Sequence, residues 1–228
     1  MPTPSLALTR LLHLASPALP VGAFSYSQGL EWAVECGDVK DAAQARAWIG
    51  DALRFVIVRC EGPAVVQSMR AWRAHDLAAV RALNLRFIAT RETSELRAET
   101  VQMGYSLARL LRDLDEVPAA VREALADLGE LAFPTAWAGA AAAWELDERE
   151  AITAYLWAWL ENQTMAAIKL VPLGQTAGQK MLLSLAADLP ALTEDALARA
   201  HGEWENFAPL QTLACGLHET QYTRLFRS

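Results

Sequence analysis

The hydrophobic positions of this chain recur at helical spacing almost from end to end. Ala and Leu, two strong helix formers, dominate the composition, and the alternation typical of strands is nearly absent. The one strand-like run, FVIVRC at 55–60, follows the helix-period segment DAAQARAWIGDALR, and we assign it to a buried helix end. The pattern predicts helices at 7–15, 28–36, 42–59, 63–73, 76–90, 94–114, 119–131, 135–144, 147–171, 175–187, 194–203 and from about 208 to the chain end.

Helix breakers mark several of these boundaries. Proline cannot continue a helix and glycine relaxes the backbone, so both residues punctuate a helical pattern. Such breaks are found at Gly62–Pro63, Pro118, Pro134, Pro172 with Gly174, and Pro190. No repeat, low-complexity tract or long polar linker interrupts the sequence. We therefore predict one all-α domain over 1–228, a single-domain helical bundle of about ten or more helices.

Composition narrows the class of protein. The chain has 228 residues, 53% hydrophobic and 21% charged, with a formal net charge of −7. Without a basic excess, we expect no binding to nucleic acid or to an anionic membrane surface. The apolar runs are too short to span a bilayer, and the N-terminal segment lacks the features of a signal peptide. Cys36, Cys60 and Cys215 form no disulfide or zinc pattern, so we expect a soluble protein of the reducing cytoplasm.

The segment SPALPVGAFSYSQGLEWAVE at 16–35 predicts a shaped loop that leads into a helix. Pro17 and Pro20 exclude a helix at its start, whereas Gly22 and Gly29 tolerate unusual backbone angles. Three roles fit such a loop: a catalytic elbow, a phosphate cradle or a docking surface. A nucleophile elbow requires G-x-S-x-G after a strand, and SYSQG at 25–29 lacks both the first glycine and the strand.

Other catalytic and metal patterns are incomplete. The run GQTAGQKM at 174–181 has neither the spacing of a phosphate-binding loop nor its final hydroxyl residue. Only CGLHE at 215–219 groups potential metal ligands, namely Cys215, His218 and Glu219, at helix-compatible spacing. A closed site usually needs four ligands, so Cys215 and His218 are weak metal candidates and an ordinary helix face is favoured. No catalytic residue is predicted.

Two predicted helices carry polar groups in unusual positions. Glu95 and Glu99 are like charges four residues apart, which is unfavourable in an isolated helix and suggests partners from elsewhere. The stretch LENQTMAAIKL places the polar residues of 161–169 between strongly apolar flanks. This stripe is either a solvated face or the polar lining of a cavity or interface, because unsatisfied polar groups are costly to bury. Lys169 precedes the break at Pro172, where a helix C-terminus favours a cation.

The last residues, HETQYTRLFRS at 218–228, are unusually apolar for a chain terminus. We call these residues the C-terminal tail. Aromatic residues and arginine are enriched in interface cores, so the tail is typical of a docking peptide. We expect it to be helical and mobile until a partner covers it. The predicted partner-binding residues are His218, Glu219, Gln221, Tyr222, Arg224, Leu225 and Phe226.

Four of these segments together resemble the family of urease accessory proteins UreF. They are LASPALPVGAFSYSQGLE, RETSELRAETVQMGYSLARLL, AAIKLVPLGQTAGQ and HETQYTRLFRS, found in this order over 11–228. The resemblance implies an all-α homodimer without enzymatic activity. It also implies a complex with the accessory protein UreD, also called UreH, and with the GTPase UreG on urease apoprotein.

In that complex, the resemblance implies, GTP hydrolysis is coupled to nickel insertion, with UreE as the nickel donor. No cofactor is then bound stably, and nickel is handled in transit as part of the complex. Glu31 and Lys169 lie beside loop breaks in matching motifs, which implies roles in GTPase coupling or nickel passage.

The sequence departs from the family pattern at a few positions. Ala23 replaces the second glycine of a Gly-Gly pair, and Ala132 stands where a histidine usually precedes Phe-Pro. Cys215 and Leu217 also depart from the residues that usually precede His-Glu, and the usual arginine is lost at Leu217. A second hypothesis is a small-molecule enzyme built on a helical bundle, with a polar pocket lined by residues 161–169.

Overall fold

The computed structural model of the chain describes residues 3–228, and these residues are helical almost throughout, with no strand. A 3₁₀ turn spans Ala23–Ser25 and a π-helical segment spans Leu53–Glu61. The α-helices are α1 (Pro4–Ala15), α2 (Leu30–Glu35), α3 (Ala42–Ala52), α4 (Gly62–Arg73), α5 (Leu77–Ala89), α6 (Ser94–Arg112), α7 (Ala119–Asp127), α8 (Phe133–Ala143), α9 (Glu148–Leu170), α10 (Gln175–Ala186), α11 (Leu189–Arg199) and α12 (Pro209–His218). The predicted all-α bundle is confirmed.

Several predicted boundaries are wrong, among them the end of the helix expected at 119–131, which stops at Asp127, and for three others the reason is identifiable. The helix expected at 194–203 begins at Leu189, because Pro190 lies in the first turn, where its missing N–H needs no partner. The helix expected from about 208 to the chain end stops at His218, and the residues beyond it take their hydrogen bonds from other parts of the chain. The third boundary is the expected end near Arg59, where the helix continues.

The strand-like run 55–60 is helical, as predicted, but it does not end a helix. It belongs to the π-helical segment that joins α3 to α4 without interruption. A π-helix has a wider turn than an α-helix, which changes the direction in which successive side chains point. Val56, Ile57, Val58 and Cys60 are all buried here, and so is the carboxyl-bearing Glu61. The segment therefore brings an acidic side chain into the interior.

Side-chain caps begin several helices where polar residues precede an apolar pattern. Asp41 accepts a hydrogen bond from the backbone N–H of Gln44 at 2.9 Å, and Asp76 accepts one from Ala79 at 2.9 Å. The Thr93 hydroxyl accepts from the N–H of Leu96 at 3.2 Å. Each cap satisfies one of the free N–H groups of a first turn, which fixes the start of α3, α5 and α6.

The main hydrophobic core extends from Leu11 in α1 to Phe226 in the C-terminal tail, and a smaller cluster lies around Phe87. The centre of the main core is α8, an alanine-rich helix that packs against α4 and α6. Small residues allow these helices to approach closely. A Cβ atom added at Gly104 of α6 would lie 1.9 Å from the main-chain oxygen of Leu131, just before α8. Glycine at this position is therefore required by the contact itself.

The part of the chain that the structure describes contains no helix long and apolar enough to cross a membrane.

We expect Gly104→Ala to lower the free energy of unfolding by about 1–3 kcal/mol, because the added methyl group forces α6 away from the start of α8. Urea denaturation of the purified chain measures this change. Gly216→Ala is the matched control, since nothing lies within 4 Å of a Cβ at Gly216 in α12. The control should keep or slightly raise stability, because alanine favours a helix. Equal midpoints for Gly104→Ala and the parent chain would contradict the assigned contact.

Candidate functional site

The loop before α2 has the special backbone angles that its glycines predict. Gly22 and Gly29 both have positive φ, at 80° and 82°, and Gln28 has a φ of 52°. Gly29 also faces α12: a Cβ atom there would lie 3.0 Å from the backbone nitrogen of Cys215. The loop is thus shaped so that α12, and the tail after it, can pack directly against the start of α2.

Glu31, in the first turn of α2, fixes the main chain of the C-terminal tail. Its buried carboxylate accepts hydrogen bonds from the backbone N–H groups of Leu225 at 2.6 Å and Phe226 at 2.9 Å. The same carboxylate lies 3.0 Å from Nε2 of His218. Hydrogen bonds to an ionised group are about twice as strong as neutral ones. One side chain therefore joins α2, the end of α12 and the tail.

Glu95 of α6 provides a second acidic contact to the same segment. Nδ1 of His218 lies 2.7 Å from one carboxylate oxygen of Glu95, and Nη1 of Arg224 donates to the other at 2.6 Å. The His218 ring is fully buried between Glu31 and Glu95. An ionised carboxylate only accepts hydrogen bonds, so both contacts are made when each ring nitrogen carries a hydrogen.

The end of the tail lies against the loop before α2. The main-chain oxygen of Ser228 accepts from the N–H of Ser27 at 2.6 Å, from its hydroxyl at 2.7 Å and from the N–H of Gln28 at 3.1 Å. The N–H of Arg227 donates to the carbonyl of Ser25 at 2.8 Å. The expectation of a helical tail is therefore wrong, because α12 ends at His218 and the N–H groups of Leu225, Phe226 and Arg227 bind other parts of the chain. Its mobility before a partner binds stays a prediction.

Residues of the tail alternate between the interior and the surface. Phe226 is 5% exposed and belongs to the core, whereas Leu225 is 65% exposed and Tyr222 is fully exposed. The Nζ atom of Lys169 lies 5.4 Å from the centre of the Phe226 ring, within the range of a cation–π contact. The structure thus divides the predicted partner-binding residues into buried ones, such as Phe226 and His218, and ones that face outward.

The remaining predicted residues of the tail lie at or near the surface. The exposed Glu219 accepts hydrogen bonds from the N–H and the hydroxyl of Ser94, both at 2.7 Å, and so caps the N-terminus of α6. Arg224 is exposed apart from its contact with Glu95, and Gln221 is half-buried. The partner-binding role of all seven residues stays a prediction.

Glu99, one turn after Glu95, lies between the tail and a cavity. Its Oε1 accepts from Nε2 of Gln28 at 2.7 Å, and its Oε2 is 3.0 Å from the Ser228 hydroxyl. Burial raises the pKa of Glu99 to about 7, and the nearby Glu61 adds to the rise, against hydrogen bonds from Gln28 and Ser228. Sequence reasoning identified Glu95 and Glu99 only as like charges that need outside partners, and the tail supplies those partners.

The cavity has a volume of about 250 Å³ and lies between α1, the loop at 16–24, α6 and α9. An ion pair lines it: Nη1 of Arg91 donates to Oε1 of Glu61 at 2.8 Å. The Tyr155 hydroxyl donates to Oε2 of Glu61 at 2.6 Å, and burial raises the pKa of this phenol well above its ordinary value. Every polar atom of this cluster is therefore supplied with a partner, as buried charges require. Sequence reasoning missed Glu61 and Arg91, since nothing in the helical pattern shows that they meet.

The polar stripe of α9 divides between this cavity and the core. Glu161, Asn162 and Lys169 line the cavity, in agreement with the second of the two readings of the stripe. Gln163 and Thr164 instead point into the bundle, where the Thr164 hydroxyl donates to the carbonyl of Leu160 at 2.9 Å. Lys169 lies in the last turn of α9 and is exposed.

The weak metal candidates are not assembled into a site. Among residues 3–228, no three His, Cys, Asp or Glu side chains are arranged to hold a metal ion. Both ring nitrogens of His218 already contact carboxylates. Burial, together with nearby glutamates, raises the pKa of the Cys215 thiol, which opposes formation of the thiolate that binds metals.

Comparison with known proteins agrees with this architecture. The sequence profile of the UreF family matches residues 39–186. The chain is 59% identical over 225 residues to the urease accessory protein UreF of Azoarcus sp. strain BH72, an alignment that covers 98% of this chain and 96% of that protein. It is 53% identical to the UreF of Dechloromonas aromatica strain RCB, with 98% of each chain covered.

The chain belongs to the UreF family of urease accessory proteins. UreF proteins are non-catalytic, so this chain is not an enzyme. Membership overturns the hypothesis of a small-molecule enzyme, although Glu161 and Lys169 do line a cavity. In this chain, the loop at 16–29 is neither a nucleophile elbow nor a phosphate cradle. It binds the backbone at the end of the C-terminal tail.

We expect Glu31→Gln to destabilise the chain by about 3 kcal/mol, because it leaves the buried tail amides and His218 without their charged acceptor. Urea denaturation measures the loss, and trypsin cleavage at Arg224 should become faster as the tail detaches. Glu35→Gln, at an exposed position of the same helix, is the control and should change neither property. Unchanged stability and cleavage in Glu31→Gln would show that Glu31 does not hold the tail.

Proposed function

We propose that this chain is a non-catalytic scaffold for the maturation of urease by nickel insertion. In this proposal it acts in the cytoplasm as a homodimer and joins UreD, also called UreH, to the GTPase UreG on urease apoprotein. GTP hydrolysis by UreG drives the insertion, UreE supplies the nickel, and nickel passes through the complex without a stable site on this chain. Membership of the UreF family is the broad support for the proposal.

The observation that carries the docking role is the outward side of the C-terminal tail. Glu31 binds the tail backbone and Glu95 binds the side chain of Arg224, while the side chains of Tyr222 and Leu225 remain exposed. An apolar side chain held in one position loses little entropy when a partner covers it, which favours its use as an interface anchor. We assign the contact with UreD to these two residues.

The face of α12 extends this surface. Leu210, Leu213 and Leu217 follow at helical spacing and are exposed, and Phe207 before the helix is 78% exposed. Apolar surface that runs along one helix face and continues into the tail is typical of a protein–protein contact. Leu217, which departs from the family pattern, fits this face as a further apolar contact and not as a charged one.

Glu31 and Lys169 take different parts in this proposal. Glu31 is buried and acts through the tail that it positions, whereas Lys169 is exposed beside the cavity and the Phe226 ring. Lys169 is therefore available to contact UreG or to affect nickel passage, and Glu31 affects coupling by holding the docking segment.

We expect the double change Tyr222→Ala with Leu225→Ala to weaken capture of UreD by at least about 30-fold, since loss of an anchor typically costs 2 kcal/mol or more. Urease activation in a reconstituted system should fall with it. These point changes test the docking role more specifically than deletion of residues 218–228 does, because the deletion also removes Phe226 from the core.

The control for this experiment is Tyr105→Ala with Leu183→Ala, which removes an exposed tyrosine and an exposed leucine from α6 and α10. It should bind UreD as the parent chain does. Retention of normal UreD affinity by the tail variant, with an intact fold, would remove the docking role from Tyr222 and Leu225.

We expect Lys169→Ala to change the free energy of unfolding by less than about 1 kcal/mol, because an exposed cation–π contact is weak. The nickel content of activated urease per GTP hydrolysed should nevertheless fall. Lys180→Ala, at an exposed lysine of α10, is the control. A large drop in melting temperature for Lys169→Ala would instead show that Lys169 serves mainly to cap the C-terminus of α9.

A further inference from the structure

Glu99 is the point at which the C-terminal tail meets the cavity. One carboxyl oxygen accepts from Gln28, whose Oε1 in turn accepts from Nε1 of Trp159 at 2.9 Å. The other oxygen is 3.0 Å from the Ser228 hydroxyl, and the main-chain oxygen of Ser228 is bound by Ser27 and Gln28. Gln28, Glu99 and Trp159 also line the cavity. A change in the protonation of the Glu99 carboxyl group therefore acts directly on a contact of Ser228, at the end of the tail.

The partners of Glu99 fit both of its protonation states. The amide nitrogen of Gln28 can only donate, so Oε1 is an acceptor in either state. A hydroxyl both donates and accepts. When Glu99 is neutral, Oε2 carries the proton and donates to Ser228, and when Glu99 is ionised the Ser228 hydroxyl turns and donates to Oε2. The hydrogen bond survives, but the ionised state places an extra negative charge in the interior.

The charges around Glu99 do not cancel that extra charge. Glu61 of the π-helical segment raises the pKa of Glu99, and Arg91, which follows α5, lowers it by less because Arg91 is paired with Glu61 at 2.8 Å. The other titratable groups that interact with Glu99 are Tyr26, Tyr155 and Cys215, and burial raises the pKa of all three. These groups are neutral near pH 7, so none of them offsets an ionised Glu99.

We propose that Glu99 is a proton-dependent latch, which holds the C-terminal tail on the bundle when its carboxyl group is protonated and loosens it when the carboxyl group is ionised. Because the tail is the docking segment of the function proposed above, this proposal rests on that function and names a regulation of it. The latched tail presents Tyr222 and Leu225 in fixed positions, and opening of the tail removes that arrangement.

The direction of the pH effect follows from proton linkage. In the latched state burial raises the pKa of Glu99 to about 7, above its ordinary value of 4.5, and in this proposal opening of the tail admits water and returns the pKa toward that ordinary value. Stability of the latched tail is therefore full below the open-state value and is lost as pH rises toward 7. Between about pH 5 and pH 7 the opening constant should rise by up to about tenfold per pH unit, and above about pH 7 it should level off.

Amide hydrogen exchange of the full, partner-free chain tests the proposal. The probes are the amides of Leu225, Phe226 and Arg227, which donate to Glu31 and to the Ser25 carbonyl. After correction for the intrinsic exchange rate, their protection should fall between pH 5 and pH 7 and then stay level. In Glu99→Gln, which keeps both hydrogen bonds but cannot ionise, protection should fall less steeply over this range than it does in the parent chain.

Glu161→Gln is the matched control, because Glu161 also lines the cavity but makes no contact with the tail. It should keep the pH dependence of the parent chain. Parent protection that is flat from pH 5 to pH 7 would overturn the proposal, even if Glu99→Gln fails to fold, and so would an unchanged slope in Glu99→Gln. No partner is present, so failure of the proposed docking function would leave this measurement unaffected and would be seen separately in the UreD capture experiment.

Discussion

The arrangement of this protein depends above all on one buried carboxylate that binds backbone amides. Glu31 accepts from two consecutive N–H groups of the tail, Leu225 and Phe226, and contacts the His218 ring at the end of α12. Without this acceptor those amides would be buried without partners, at a cost of about 1–3 kcal/mol each. This contact fixes the tail backbone in the register that buries Phe226 and leaves Leu225 exposed.

Around that contact lies an interior that is unusually rich in acidic groups. Glu61, Glu95 and Glu99 join Glu31 within the bundle, and within residues 3–228 the basic groups that face them from the interior are Arg91 and the His218 ring. Each carboxylate has hydrogen-bond donors, so the cost of desolvation is limited but not removed. The C-terminal tail, with its exposed Tyr222 and Leu225, is thus held mainly by contacts with buried acidic side chains.

The core of this accessory protein determines which surface the tail presents. Glycine and alanine let α6 and α8 approach so closely that a methyl group at Gly104 would not fit. This close packing positions Glu95 and Glu99, on the same helix, toward the loop and the tail. The outward residues Tyr222 and Leu225 are consequently placed by contacts that lie on the opposite side of the tail backbone.

The sequence by itself determined the helical class, most helix positions and the family, because these depend on local periodicity, breakers and contiguous motifs. It also indicated that Glu95 and Glu99 need partners, since like charges four residues apart repel within one helix. Only the tertiary structure decided that the tail supplies those partners, that Phe226 is core while Leu225 is surface, and that Glu61 meets Arg91. These contacts join residues far apart in the sequence, and the burial that sets their energies exists only after the helices have packed.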